Sequence, residues 1–225
     1  MKKEHGKISA SMMCCDLAYL RENIRVFEEE GIEYLHIDVM DGEFVPNLGL
    51  GIDYVNSLRK MTNILLDIHL MVNRPEEKMK WLEIGAGDRI SIHYESTGHV
   101  HRAIEQARRC GGKVMLAINP ATPVCVIEEV LGYVEGITVL TVNPGFAGQQ
   151  IVHSCIEKTR KIYSYLNQIG YGHLDIEVDG NISLENAKIL RELGANIFVA
   201  GTSSIFKGCR EVSRQDILRM RNAIA

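Results

Sequence analysis

His36-Ile37-Asp38, near the end of the run Tyr34-Leu35-His36-Ile37-Asp38-Val39, is repeated in kind at Asp67-Ile68-His69 and Glu177-Val178-Asp179. Each triplet is an acid or imidazole, an aliphatic residue, then an acid or imidazole. Side chains alternate faces along a strand, so the outer members of each triplet point one way and the aliphatic residue the other. If the three are strands of one closed barrel, their polar members converge inside it. Two His and two Asp arriving from separate strands form a full ligand set for a divalent transition metal. Burying several carboxylates together without a cation would be heavily unfavourable, whereas a divalent ion neutralises them.

Outward from these triplets, short β-branched runs alternate with longer amphipathic stretches, the pattern of βα units around a parallel sheet. Strands are expected near 7–13, 34–39, 64–70, 89–93, 114–119, 136–142, 174–179 and 197–200. Helices are expected over 17–30, with Asp16 as its N-cap, and over 52–60, 75–84, 98–110, 123–131, 154–169, 184–193 and 210–224. Eight such units in 225 residues, slightly under the ~250 usual for the fold, predict a (β/α)8 TIM barrel as a single domain spanning 1–225. A doubly wound open sheet would carry a Gly-rich fingerprint in its first βα turn, and Ser11-Met12-Met13-Cys14-Cys15-Asp16 has none.

The charge balance, 25 Lys and Arg against 29 Asp and Glu, lacks the basic footprint of a nucleic-acid-binding surface. No run approaches the ~18 apolar residues of a membrane span, and Met1-Lys2-Lys3-Glu4-His5-Gly6 leads into a strand without a signal-type apolar region. The expected location is the cytoplasm, with neither nucleic acid nor membrane as partner. Six cysteines, Cys14, Cys15, Cys110, Cys125, Cys155 and Cys209, form no CxxC pair and are expected to be reduced and mostly buried.

In a barrel the chemistry sits at the carboxyl ends of the strands. Asp67 and Glu177 share the inward phase but lie a layer deeper, where they are expected to support the ligands, for example by accepting an imidazole N–H. Asp41 and Asp88 read as loop or cap residues. Three turn-rich stretches follow strands six, seven and eight: Asn143-Pro144-Gly145-Phe146-Ala147-Gly148-Gln149, Asp179-Gly180-Asn181 and Gly201-Thr202-Ser203-Ser204. Their free backbone amides and hydroxyls suit an anion, and barrels often hold phosphate there. No Lys ends a strand, which argues against a Schiff-base aldolase, and there is no nucleophile elbow for Ser-His-Asp hydrolysis. A metal, two carboxylates and an anchored phosphate suit abstraction of a proton beside a ketone, because the enediolate charge then develops next to the cation. One carboxylate would remove the proton from one face and the other return it to the opposite face, inverting the centre.

Ser11, His36-Ile37-Asp38-Val39-Met40-Asp41-Gly42, Phe44-Val45-Pro46-Asn47, His69-Leu70-Met71-Val72, Asn119-Pro120-Ala121-Thr122-Pro123, Val142-Asn143-Pro144-Gly145-Phe146 and Glu177-Val178-Asp179-Gly180 resemble the ribulose-phosphate 3-epimerase family in order and spacing. The resemblance covers essentially the whole chain and implies a metal-dependent ketose-phosphate 3-epimerase on a barrel. It implies that His36, Asp38, His69 and Asp179 hold one divalent ion, for which Zn, Mn, Fe and Co are candidates and Mg a further one. By the same resemblance, Asp38 and Asp179 serve as the acid/base pair, and Ser11, His69, Met40 and Met71 contact the sugar. Gly148, Gly180, Gly201, Thr202 and Ser203, with Gly145 and Asn181 beside them, are expected to hold the phosphate. The implied partner is a small-molecule sugar phosphate, and the implied assembly a homo-oligomer, dimer or hexamer. Met13-Cys14, Ala147 and Gly201-Thr202-Ser203 look more like the allulose-6-phosphate 3-epimerase branch, although Leu140 fits neither branch well. The expectation is therefore exchange of D-allulose 6-phosphate with D-fructose 6-phosphate, with D-ribulose 5-phosphate and D-xylulose 5-phosphate as the alternative pair. A catalytically silent sugar-phosphate-binding barrel would lack a ligand or a carboxylate, and none is missing.

Overall fold

A computed structural model describes residues 5–208 and 211–225. Eight parallel strands close into one barrel in chain order, each hydrogen-bonded to the next and β8 to β1. They are β1 (Lys7–Ser11), β2 (Tyr34–Met40), β3 (Leu65–Met71), β4 (Arg89–His93), β5 (Lys113–Ile118), β6 (Gly136–Leu140), β7 (Asp175–Asp179) and β8 (Ile197–Ala200). Among the described residues the α-helices between and after them are α1 (Leu20–Glu29), α2 (Ile52–Met61), α3 (Pro75–Lys78), α4 (Val100–Arg109), α5 (His153–Gln168), α6 (Leu184–Glu192) and α7 (Arg214–Ala223). The expected start of the last helix, Arg210, lies outside the described residues, as does Cys209.

The two-residue period decides what goes where. In β2 every residue is buried, because the strand has helices on one side and the barrel axis on the other. Leu35, Ile37 and Val39 join the large apolar core under the helices together with Leu66, Ile68 and Leu70 of β3. The opposite phase points down the axis. The β2–β3 register pairs His36 with Asp67, Asp38 with His69 and Met40 with Met71, so the axial side chains are stacked in levels. Helices complete the outer layer through one face each: α1 buries Asn23, Ile24 and Phe27, and the Phe27 ring meets Phe206 edge-on at 6.0 Å. Asp16 accepts from the Ala18 backbone N–H as expected of a cap, although the turn it opens, 17–19, is a 3-10 helix preceding α1.

Two expected helices are not regular α-helices. The stretch from Pro75 makes only α3 and a 3-10 turn over Met79–Trp81. There the Asn56 side chain of α2 takes over, donating to the Trp81 carbonyl and accepting from Glu83 N–H, so the backbone groups are satisfied without further helix. Between β5 and β6 the chain forms a 3-10 helix over Val124–Tyr133. It is rich in β-branched residues, which lose rotamer freedom in an α-helix. The cysteines are thiols as expected, but only Cys15 and Cys155 of the described ones are buried; Cys14 and Cys110 are half-buried and Cys125 exposed. These three lie near loops and helix ends, where one side of a small side chain stays wet. No helix of the described residues is long and apolar enough to cross a membrane.

Candidate metal and sugar-phosphate site

His36 and Asp38 of β2, His69 of β3 and Asp179 at the end of β7 bring four ligand atoms within 4.8 Å of one another. His36 Nε2 lies 3.3 Å from Asp38 Oδ1 and 3.6 Å from Asp179 Oδ2. His69 Nδ1 lies 3.1 and 3.5 Å from the same two oxygens. Both imidazoles are fully buried.

The donor set fits a divalent ion on three counts. Its two nitrogens and two carboxylates suit Zn, Mn, Fe or Co. His36 Nε2 is buried and makes no hydrogen bond of good geometry, although two carboxylates stand near it; an ion among the four atoms would give it a partner. Burial disfavours a charged His36, yet Asp38 and Asp67 outweigh it and hold the imidazole pKa well above its ordinary value. The negative field that retains a proton there is the field that would retain a cation. Asp38 stays ionised against its own burial because His36 and His69 face it.

One level down, Asp67 Oδ2 accepts the His36 Nδ1–H at 2.8 Å and a bond from Ser9 Oγ at 2.7 Å. With a cation in the cluster this bond would leave the His36 Nε2 lone pair free to face it, the supporting role expected of Asp67. Glu177 makes no such imidazole bond. Burial and the neighbouring Asp67 charge raise its pKa well above the carboxylate range, so it stands protonated beside Asp67 and accepts from Thr138 Oγ1. His36, Asp67 and Glu177 also lie close enough to suggest a second ion, but His36 Nδ1 is already bound to Asp67, and the trio braces the first cluster instead. At the base, the Arg89 guanidinium pairs with Asp175 and covers the Tyr34 ring at 4.5 Å. Asp41 and Asp88 lie outside the barrel axis: Asp41 pairs with Lys78 at 2.5 Å, and Asp88 with Arg59 at 2.7 Å.

Above the cluster opens a pocket of about 590 Å³. Asp38 and Asp179 form part of its floor; Ser11, Met40 and Met71 line it, and so do Gly145, Gly148, Gly180, Asn181, Gly201, Thr202 and Ser203 from the three turn-rich loops. Ser11 Oγ is 3.5 Å from Asp38 Oδ2. Met40, Met71 and Val45 form a separate apolar cluster with Met13 and Phe44 packed against it. Gly180 has φ +114°, and a Cβ there would stand 2.5 Å from Val142 Cγ2, so only glycine lets the loops after β6 and β7 approach this closely. Asn181 also has positive φ, 51°. Its side chain is engaged within the protein: Nδ2 donates to the Gln149 carbonyl at 2.7 Å and reaches Ser203 Oγ at 3.3 Å. Asn181 thus ties the three loops together and can offer an anion its backbone. Across the mouth, Asn47 Nδ2 donates to the Gly145 carbonyl at 2.7 Å, linking the loop after β2 to the loop after β6.

A sequence profile of the ribulose-phosphate 3-epimerase family matches residues 7–206. The chain belongs to the ribulose-phosphate 3-epimerase family. Among the relatives of this epimerase family, ribulose-phosphate 3-epimerase of Bacillus subtilis is 38% identical over 197 residues, which cover 88% of this chain and 91% of that one. The protein of the same name from Methanocaldococcus jannaschii is 38% identical over 200 residues, 89% of this chain and 84% of that one. Ribulose-5-phosphate-3-epimerase of the Arabidopsis thaliana chloroplast is 37% identical, covering 87% and 70%. Solved structures of similar shape include 3-hexulose-6-phosphate synthase, with a TM-score of 0.66 at 12% identity over 97% of this chain and 100% of that one. Phosphoribosyl anthranilate isomerase of Thermus thermophilus has the same TM-score and identity, over 96% and 97%; at such identity the likeness is one of barrel fold alone.

One buried residue at this epimerase-family site was not singled out from the sequence. His93 ends β4, its ring stacked on His69 with centroids 4.9 Å apart, and the two Nε2 atoms are 2.8 Å apart. Its Nδ1 faces Glu95 Oε2 at 3.2 Å. Burial pushes the His93 pKa down to about 4, and although burial opposes it, bonds from His93, Thr122 and the Asn119 N–H bring Glu95 down to about 2. The signal was its phase: His93 shares the inward phase of Arg89 and Ser91, while Ile90 and Ile92 face the helices.

Proposed function

We propose that this carbohydrate epimerase interconverts D-ribulose 5-phosphate and D-xylulose 5-phosphate by inverting C3. The observation that carries the reaction type is the convergence of Asp38 and Asp179, from strands on different sides of the mouth, on one polar centre beneath the pocket. His36, Asp38, His69 and Asp179 would hold a divalent ion, which would supply positive charge to offset the negative charge that grows when a C–H bond next to the ketone is broken. One of the two aspartates takes the C3 proton and the other delivers a proton to the opposite face. Ser11, next to Asp38, orients the sugar. Met40 and Met71 present an apolar surface that keeps water from the carbanionic carbon, which preserves the proton inventory of the pair. The glycine-rich loops after β6, β7 and β8 receive the phosphate through backbone N–H groups and the Thr202 and Ser203 hydroxyls.

The five-carbon substrate takes precedence because the relatives that share 37–38% of the sequence are named for ribulose phosphate. The six-carbon expectation rested on Met13-Cys14, Ala147 and Gly201-Thr202-Ser203. Those residues line the pocket, and lining it does not by itself fix the length of the carbon chain. The test compares kcat/KM for D-ribulose 5-phosphate and D-allulose 6-phosphate on metal-loaded protein. A higher value for the five-carbon substrate is expected. The reverse ratio overturns the substrate, and no turnover of either by protein with bound metal overturns the epimerase reading.

A further inference from the structure

We propose that His93 and Glu95 are positioning residues that hold His69 in the tautomer whose Nδ1 lone pair faces the metal cluster. The proposal rests on the reading of the cluster as a metal site and concerns how one of its ligands is prepared.

A contact of 2.8 Å between His69 Nε2 and His93 Nε2 places one proton between two ring nitrogens. Two proton orders are open to a neutral pair. In the first, His69 donates from Nε2, His93 accepts at Nε2, and His93 Nδ1–H donates to Glu95 Oε2 across 3.2 Å. In the second, His93 donates to His69, His69 Nδ1–H points at Asp38, and the His93 Nδ1 lone pair is left against a carboxylate oxygen. That sets acceptor against acceptor in a buried place, which is costly. Glu95 is fixed as an acceptor because its other oxygen, Oε1, already receives the Asn119 N–H at 2.9 Å and the Thr122 hydroxyl. With a cation on His69 Nδ1 only the first order remains, because a coordinated Nδ1 carries no proton and His69 must then donate from Nε2, a proton that His93 accepts while its own Nδ1–H goes to Glu95.

The support is itself anchored. Lys158 Nζ donates to the carbonyls of Asn119, Pro120 and Thr122 at 2.7–2.8 Å, so the loop that grips Glu95 is held by α5. The Phe44 ring covers His93 from the other side, with centroids 4.7 Å apart. His93 and His69 are both fully buried, so no water can replace the missing partner.

The test uses the full chain and Zn²⁺ as probe. Zn²⁺ affinity is measured by competition with a chromogenic chelator for wild type, His93→Leu, His93→Gln and Glu95→Gln. The His93 tautomer is read by two-bond proton–nitrogen correlation in Zn²⁺-loaded protein with labelled histidine, where Nδ1–H is expected. Leu removes the acceptor and should weaken Zn²⁺ binding about 10–100-fold, whereas the Gln side-chain oxygen can accept the same N–H and should stay within about threefold. Glu95→Gln should retain its fold and, because the new amide can donate to His93 Nδ1 and oppose the required proton order, weaken Zn²⁺ binding more than about threefold. Equal affinity in wild type and His93→Leu, or an Nε2–H His93 in the Zn²⁺-loaded wild type, overturns the proposal. Wild-type protein that binds Zn²⁺ but turns over no ketose phosphate defeats the proposed function and leaves this test intact. If wild type binds no Zn²⁺, the metal reading fails and this proposal fails with it.

Discussion

Asp179→Asn separates the two-carboxylate mechanism from its competitors. The substitution keeps an oxygen and the side-chain volume but removes a base. Loss of one general acid/base group costs about 10²–10⁴ in rate, and because Asp179 also faces both imidazoles the loss should reach at least the upper end of that range. Stability moves far less. Asp38 and Asp179 have ligand oxygens within 4.8 Å of each other, and relieving that repulsion returns about 3 kcal/mol at an effective dielectric of about 20. The charged His36, 3.6 Å from Asp179, loses about 5 kcal/mol of attraction on the same scale. The two oppose one another, and the partly exposed Asp179 is further screened, so the net change should be about 1–2 kcal/mol. The assay follows epimer formation and, in deuterated water, exchange at C3. Asp38 alone can still exchange the C3 proton of one epimer while forming no product. Epimerisation within tenfold of wild type would refute the two-base assignment, and so would exchange into both epimers, since one carboxylate would then reach both faces.

Two further perturbations test the scaffold. Asp41 is held near pKa 2 instead of its ordinary 3.8, against its burial, by Lys78 and the backbone N–H groups of Phe44, Glu43 and Asn73. A depressed folded pKa contributes stability above about pH 4 that is lost as pH falls toward 2. Lys78→Met should therefore cost about 1 kcal/mol in urea unfolding at pH 7, with the gap to wild type closing between pH 4 and 2; a gap that stays constant over that range contradicts the assignment. Gly180→Ala forces a side chain into positive φ and against Val142, which should destabilise by about 2–4 kcal/mol in the same assay. A cost below about 1 kcal/mol would mean that the loops after β6 and β7 yield more easily than their packing indicates.

The barrel was legible because period-two alternation is a local property: His36-Ile37-Asp38 declares its inward and outward faces without reference to any other strand. The ligand cluster was legible for the same reason, since three strands ended in the same pattern. His93 was not, because its partners are set by closure. The register pairs His69 with Ser91 and Leu70 with Ile92, which puts His93 one rung above His69; only the tilt of its ring onto His69 brings the nitrogens together. Its other partner, Glu95, lies beyond the strand in a 3-10 turn, where alternation no longer predicts direction. The irregular helices escaped for a different reason. Pro75 and Pro123 are good helix openers, but what stopped the first helix was the Asn56 amide of another helix, a tertiary contact that overrides propensity.

The order of groups along the axis explains why the cluster tolerates so much buried charge. At the base, Arg89 is matched by Asp175 and by the Tyr34 ring. Above it Glu177 is neutral, so Asp67 is the one charged carboxyl of that trio, and it is held by Ser9 and His36. Above Asp67 the charge changes character: Asp38 and Asp179 stand together beside His36 and His69, with Ser11 Oγ at 3.5 Å from Asp38. The lower levels set their charged groups against protein partners, whereas this level gathers two carboxylates that a cation would neutralise. The pocket opens directly onto that level, and the Met40, Met71 and Val45 cluster covers its apolar side. A ketose phosphate that reaches the floor of the pocket therefore meets two adjacent carboxylates, where a cation held by them and the two imidazoles would also offer its charge to the substrate oxygens.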